Sequence, residues 1–116
     1  MNLTATEIVD LLRLKKHPTC GFVVETYCST QTIPPEALPK TYDGARPLGS
    51  AIYFLVTPRA QIRLHRIRSD QMYHHYSGDP LEVLLLYPDG SGRVAVVGSD
   101  LSDLSSKIRA GSCLVL

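Results

Sequence analysis

The sequence is short of three things: net charge, long apolar segments and cysteine. Twelve lysines and arginines nearly balance eleven aspartates and glutamates, and a net charge of +1 gives no electrostatic reason to expect a nucleic acid or a membrane as partner. No segment approaches the roughly 18 apolar residues that a membrane span needs. The first 17 residues lack the apolar core and cleavage site of a signal peptide, so we expect a cytoplasmic protein.

The cysteines Cys20, Cys28 and Cys113 form an odd set without a C-x-x-C pair. A secreted disulfide framework usually contains an even number of cysteines, so this set favours free thiols in a reducing compartment. The sequence also lacks a nucleophile elbow, a phosphate-binding loop and a Cys/His pair at a diagnostic spacing. Motifs of these kinds therefore do not identify a catalytic mechanism for this protein.

What the sequence does contain is one helical segment followed by short strands. Thr4 and Glu7 have the spacing of a capping box, and an apolar stripe with a helical period follows them. Because the residue before a proline avoids the helical conformation, this segment must end before Pro18. We therefore predict a helix over residues 1–16.

Beyond the helix, β-branched and aromatic segments alternate with turn residues. Residues 30–49 form a long proline-rich loop, a length typical of functional lids or disordered segments. Residues 99–116 form a divergent tail, which is polar over 99–106 and contains one candidate last strand, Cys113–Leu116. With 116 residues the chain has room for one domain with a core, so we expect a single all-β sandwich or barrel over residues 1–116. The predicted strands are 21–29, 50–57, 61–68, 71–76, 81–87 and 93–97.

Four blocks of the sequence resemble the Cupin_5 (DUF985) branch of the cupin superfamily. They are HPTCGFVVETYCS, SAIYFLV, LHRIRSDQMYHHYSGDPLEV and LLLYPDGSGRVAVVGSDL, and they cover roughly residues 6–101 in the family's order and spacing. The resemblance implies a cupin-type (RmlC-like) jelly-roll β-barrel with one N-terminal α-helix. The family continues with a second cupin motif and final strands, whereas residues 99–116 diverge, which leaves open whether this barrel closes.

The same resemblance locates a cupin metal motif that has lost most of its ligands. In cupins one strand supplies H-x-H, a carboxylate follows after a short gap, and a glycine closes the next turn. The matching positions are His65, Ile67, Gln71 and Gly78. Isoleucine has no lone pair to offer a metal, and a neutral amide is a poor replacement for a carboxylate. We therefore expect no tightly bound metal and no other cofactor.

The resemblance implies that several polar and aromatic side chains point into the barrel, because alternate residues of a strand share one face. Such side chains would line a cavity suited to a small organic molecule. For Tyr53 a role in the core is the simpler interpretation, and a buried Glu25 would need a cationic partner. The predicted ligand-binding residues are His65, Gln71, Tyr73, His75, Glu25 and Tyr53.

Three functions are compatible with these residues. The first is binding of a small-molecule ligand without a metal. The second is a metal-independent enzyme resembling sugar epimerases and isomerases, in which His65 is the base and Tyr73 or Tyr53 the acid. The third is a truncated half-barrel without activity that is stable as a homodimer, because an incomplete sheet leaves an unpaired edge.

Overall fold

A computed structural model of the chain describes residues 2–99 and, in addition, the backbone of the short segments 107–108 and 113–115. Within these residues the structure is mostly β, with one short α-helix, α1 (Ala5–Leu12). This confirms the predicted class, an all-β fold with an N-terminal helix. The strands in chain order are β1 (Lys15–Lys16), β2 (Phe22–Cys28), β3 (Thr32–Ile33), β4 (Arg46–Pro47), β5 (Ser50–Leu55), β6 (His65–Arg66), β7 (Gln71–Met72), β8 (Leu81–Leu86), β9 (Gly92–Val97), β10 (Lys107–Ile108) and β11 (Cys113–Val115).

The chain divides into two compact units, Met1–Gln61 and Ile62–Leu116. The first unit contains α1 and an antiparallel sheet with the strand order β1-β2-β5. The second contains a four-stranded sheet with the order β6-β11-β8-β9, together with the pair β7-β10. Most of the predicted tail, including residues 100–106, lies outside the described residues, and β11 confirms the candidate last strand.

The start of the helix is the predicted capping box. The Thr4 hydroxyl accepts a hydrogen bond from the Glu7 N–H at 3.3 Å, and the Glu7 carboxylate accepts one from the Thr4 N–H at 2.7 Å. The two bonds satisfy backbone donors that the first helical turn leaves without an intrahelical partner. The capping prediction is therefore confirmed at both hydrogen bonds.

The end of the helix differs from the prediction, because α1 stops at Leu12 rather than at residue 16. Arg13 takes a left-handed conformation, with φ of 53°, and its N–H bonds back to the Asp10 carbonyl. The next residues, Lys15–Lys16, pair with β2 instead of continuing the helix. In the described part of the chain, no helix has the length and apolar character needed to cross a membrane.

Gly21 allows the close approach of the turn before β2 to the end of β5. Its φ is +60°, and a Cβ at this position would lie 2.4 Å from the Leu55 carbonyl oxygen and 2.9 Å from that of Ala60. Side chains larger than hydrogen would therefore meet both backbone strain and two fixed oxygen atoms. The position requires glycine for the first unit to keep this arrangement.

The predicted proline-rich loop, residues 30–49, contains secondary structure of its own. Its two ends pair as the short antiparallel ladder β3-β4, and Pro35–Ala37 forms a 3-10 turn between them. The Arg46 guanidinium lies over the Tyr42 ring, 5.4 Å from its centre. The segment is therefore a small hairpin-like structure. Because its two ends pair, its irregular part is shorter than the predicted loop.

The core of the second unit lies on one face of the β8-β9 pair. Val83 and Ala95 are opposite each other and buried, and Leu85 and Val97 are buried on the same face. The other face is only half covered, and Val94 on it is 59% exposed. The two faces of the β8-β9 pair therefore differ in burial.

The strands that carry the cupin-like motif are shorter than predicted. The segment 61–68 forms only β6, and the segment 71–76 forms only β7. Each pairs through two residues, β6 with β11 and β7 with β10. Ladders of two residues fix little backbone, so hydrogen bonds and packing of individual side chains hold the rest of the motif.

Candidate functional site

His65 points to the core side of the four-stranded sheet. In the ladder, Leu114 lies opposite His65 on one side and opposite Leu85 on the other. Residues directly opposite each other on paired strands share a face, so His65 shares the face of the buried Leu85. Its side chain is half-buried. The role of His65 as a ligand contact, which the cupin resemblance implies, stays a prediction.

A backbone hydrogen bond fixes the tautomer of His65. The Nδ1 atom lies 2.7 Å from the Arg63 carbonyl oxygen. A carbonyl oxygen only accepts hydrogen bonds, so Nδ1 carries the proton. In the neutral ring Nε2 is then an acceptor with a lone pair. The imidazole can accept a hydrogen bond from a ligand, or a proton, at Nε2.

The segment after β7 keeps the alternation of a strand although its pairing ends at Met72. Gln71, Tyr73 and His75 are half-buried, and the three residues between and after them, Met72, His74 and Tyr76, are exposed. The Tyr73 hydroxyl donates to the Gln71 Oε1 at 3.4 Å. The structure therefore brings Gln71 and Tyr73 together, as the predicted common face requires.

His75 is oriented by the turn that follows it. Its Nε2 atom lies 3.1 Å from the Gly78 carbonyl oxygen, so Nε2 is the donor and Nδ1 the acceptor in the neutral ring. Gly78, with φ of +88°, makes this turn possible. His65 and His75 therefore present different ring nitrogens as acceptors.

The residues at the motif positions do not fit a metal ion. Ile67 stands where the second histidine of a cupin would be and is 7% exposed, so an aliphatic side chain fills this position. The Gln71 oxygen accepts from Tyr73 and carries no charge. In the described part of the chain, no group of three or more His, Cys, Asp or Glu side chains is placed to hold a metal. A divalent ion would find one imidazole and a neutral amide here.

Glu25 and Tyr53 belong to the first unit and lie on opposite faces of its sheet. Tyr53 is opposite Val24 in the β2-β5 ladder, whereas Glu25 is opposite Ile52. Adjacent residues of a strand point to opposite faces, so one surface of this sheet cannot include both predicted side chains. The roles of Glu25 and Tyr53 as ligand contacts stay predictions, and a binding surface on one face of this sheet could include only one of them.

A β-bulge determines the face of Tyr27, which strict alternation along β2 would place on the side of Glu25. The register shifts between Glu25 and Tyr27, and Tyr27 pairs with Ala51. Ala51 shares a face with Tyr53, so Tyr27 lies on that face too. Tyr27 is not among the predicted ligand-binding residues, because one inserted residue in a ladder has no clear signature in a single sequence.

Two carboxylates with shifted pKa values lie outside this site. The Thr4 backbone N–H and then its hydroxyl lower the pKa of Glu7. The Ser91 hydroxyl and then its backbone N–H lower the pKa of Asp89, in the turn between β8 and β9. Both carboxylates are exposed and stabilise a helix start and a hairpin. Their shifts therefore have structural causes and do not point to catalysis.

A mostly β fold with an altered cupin metal motif defines the class of this protein as cupin-like. The chain belongs to the cupin superfamily, in the Cupin_5 (DUF985) family, whose model matches residues 6–110. This confirms the family that the four sequence blocks indicated.

Two solved structures share the fold. One is described as a hypothetical protein from Leishmania major, and the other is a protein from Shewanella oneidensis. In each case the TM-score is 0.81 at 25% sequence identity, and the alignment covers 97% of this chain and 68% of the other. Comparison with curated proteins gives no match.

Proposed function

We propose that this protein binds a small organic molecule through its second unit, with His65 as the central contact and without a tightly held metal. The observation that supports the proposal most is the state of His65. Its ring is half-buried on the core side of the sheet, and the Arg63 carbonyl fixes Nδ1 as donor at 2.7 Å. The preformed acceptor at Nε2 is a polar group of the kind that orients a ligand in a mostly apolar site.

Other motif residues of the second unit offer complementary hydrogen-bonding groups. Gln71 accepts from Tyr73 through Oε1, which leaves its amide nitrogen as a donor for a ligand. His75 offers Nδ1 as an acceptor, because Nε2 donates to Gly78. Ile67, whose side chain is 7% exposed, makes apolar the position where a cupin metal ligand would stand. Donors, acceptors and an apolar contact suit an uncharged organic molecule better than a metal ion.

A ligand screen by NMR tests the proposal, with the ring signals of His65 as the readout. We expect at least one fragment to shift these signals and to lose about tenfold in affinity in His65→Ala. The matched control is His74→Ala, because His74 is an exposed histidine of the same unit. A screen in which no fragment affects His65 would contradict the proposal, and so would equal losses in the two variants.

Metal content is the second test. Protein purified without a histidine tag and measured by plasma mass spectrometry should contain no stoichiometric transition metal. Near one equivalent of metal that disappears in His65→Ala would overturn the proposal and favour a metalloprotein with unusual ligands. The same His74→Ala control separates a loss at this site from nonspecific binding to surface histidines.

A second candidate is acid–base catalysis without a metal, and the tautomer of His65 favours it. A neutral imidazole whose Nδ1–H is held by a carbonyl can accept a proton at Nε2. Tyr73 would be the acid, although its hydroxyl donates to Gln71 in this structure. Turnover of a candidate sugar-like substrate that is unchanged in His65→Ala would rule this function out.

A further inference from the structure

The dipeptide Asp-Gly occurs twice in the sequence, as Asp43-Gly44 and as Asp89-Gly90. In such a pair the glycine nitrogen can attack the side-chain carboxyl carbon of the aspartate, because glycine has no Cβ to restrict its backbone. The carboxyl group reacts in its neutral form. A bond forms between the nitrogen and Cγ, and the carboxyl O–H leaves with the N–H proton as water, which closes a five-membered succinimide ring.

Water then opens the succinimide ring at one of its two carbonyl carbons. Opening at the side-chain carbon restores aspartate. Opening at the main-chain carbon breaks the bond from that carbon to nitrogen and leaves isoaspartate, in which the chain runs through Cβ and Cγ. The conversion needs no reactant other than water, so the local structure of each Asp-Gly pair decides how fast it proceeds.

The Asp89-Gly90 pair is restrained by the turn between β8 and β9. The Gly90 N–H donates to the Tyr87 carbonyl at 3.0 Å. The Asp89 Oδ1 accepts from the Ser91 hydroxyl at 2.6 Å and from the Ser91 N–H at 2.8 Å. These two bonds, the hydroxyl first, lower the pKa of Asp89 and so disfavour the neutral carboxyl that reacts. The attacking nitrogen and the attacked carboxyl are therefore both held.

The Asp43-Gly44 pair lies in the segment that leads from the 3-10 turn to β4, and Asp43 is exposed. Within residues 2–99, no group accepts a hydrogen bond from the Gly44 N–H. A Cβ at Gly44 would meet nothing within 4 Å, so the backbone has space to turn there. The Gly44 nitrogen can approach the Asp43 carboxyl carbon without giving up a hydrogen bond to these residues. What separates the two sites is therefore the restraint on the glycine nitrogen, to which Ser91 adds a second restraint at Asp89.

We infer that Asp43 is a modification site, which converts spontaneously to isoaspartate in the folded protein, whereas the β8-β9 turn protects Asp89. The site belongs to the first unit and is independent of the proposed function of His65. The conversion would add one carbon atom to the main chain between Tyr42 and Arg46, whose side chains are in contact. It would therefore alter the segment that leads into β4.

Ageing of the purified protein at physiological temperature and mildly acidic pH tests the inference. Mass spectrometry with electron-transfer fragmentation locates isoaspartate in the tryptic peptides 41–59 and 69–93. A sample unfolded in guanidinium chloride gives the rate at which each site reacts without the fold. In the folded protein we expect Asp43 to react within about fivefold of its unfolded rate, a smaller change than one strong hydrogen bond would cause.

Asp89 should react at least about tenfold more slowly in the folded protein than in the unfolded one, since several hydrogen bonds must break first. If the fold slows both sites equally, the inference is overturned. The same conclusion follows if the folded protein forms no isoaspartate at Asp43 while the unfolded protein does.

Two variants connect the rates to the named groups. Gly44→Ala should slow the reaction of Asp43 at least about fivefold, because a Cβ restricts the backbone rotation that the attack needs, and should leave Asp89 unchanged. Ser91→Ala removes the hydroxyl that bonds Asp89 and should speed the reaction of Asp89 about fivefold, with Asp43 unchanged. An unchanged rate at Asp43 in Gly44→Ala would contradict the inference. So would a Ser91→Ala variant that leaves the rate at Asp89 unchanged or raises both rates equally.

Discussion

The two units of this protein bury their apolar side chains to different extents. Of the seven apolar side chains that are buried among the described residues, Leu14 lies in the first unit and the other six in the second. The second unit therefore has a core built on one face of β8-β9. The first unit has a sheet whose side chains are mostly exposed or half-buried. A sheet with accessible faces leaves its side chains open to solvent, whereas a sheet with a buried face supplies a rigid support.

We expect the largest loss of stability at Gly21, where the first unit depends on the fit of two backbone segments rather than on burial of side chains. Gly21→Ala places a methyl group 2.4 Å from the Leu55 oxygen at a φ of +60°. We expect a loss of at least about 3 kcal/mol in the free energy of unfolding, measured by urea denaturation, because strain and overlap add. Gly44→Ala is the control, since a Cβ there meets nothing within 4 Å and its φ is not positive. A loss at Gly21 no greater than at Gly44 would contradict the close approach.

The second-largest loss of stability is expected in the core of the second unit. Val83 is fully buried and Val94 is 59% exposed on the neighbouring strand. Val83→Ala should lower the free energy of unfolding by about 2 kcal/mol, because it removes buried methyl groups and leaves a cavity. Val94→Ala should cost less than about 1 kcal/mol. Thermal or urea unfolding of both variants measures the difference, and similar costs would mean that the assigned core face is wrong.

We expect the smallest loss of stability at the start of α1, in the first unit. Thr4→Ala removes the hydroxyl that bonds the Glu7 N–H and carboxylate, at a cost of about 1 kcal/mol at neutral pH. The folded state lowers the pKa of Glu7, so this stabilisation is complete above the unfolded pKa and is lost as the pH falls through the folded value. The stability difference between wild type and Thr4→Ala should therefore shrink between about pH 7 and about pH 3.

A double variant tests whether this pH dependence comes from the Glu7 carboxylate. Glutamine also fits the capping position but does not titrate in this range. The cost of Thr4→Ala in a Glu7→Gln background should therefore be the same at both pH values. If the difference in the Glu7 background is also constant with pH, the bond from the Thr4 hydroxyl to the Glu7 carboxylate does not contribute to stability.

Local patterns predicted the features that depend on a few neighbouring residues. The spacing of Thr4 and Glu7 predicted the capping box, and alternation predicted the common face of Gln71 and Tyr73. The four sequence blocks predicted the family, whose model matches residues 6–110. Each of these predictions depends only on the periodicity of residues along the chain or on a local motif, and both can be read from a sequence.

Other features could not be read from local patterns. The helix ends at Leu12 because Arg13 adopts a left-handed conformation that arginine rarely takes, so no glycine marked the end. The bulge moves Tyr27 away from the face of Glu25, because the ladder with β5 has one residue more on β2 than on its partner. Such events depend on how two strands distant in sequence meet.

The sequence by itself determined the family, the mostly β class, the helix start and the loss of the metal ligands at Ile67 and Gln71. These follow from residue chemistry and from spacings along one chain. Only the tertiary structure decided which side of its sheet His65 faces, which nitrogen of its ring is an acceptor, and that Tyr27 joins Tyr53 rather than Glu25. The physical reason is that faces and hydrogen-bond partners are set by strand pairing, which joins residues far apart in the sequence.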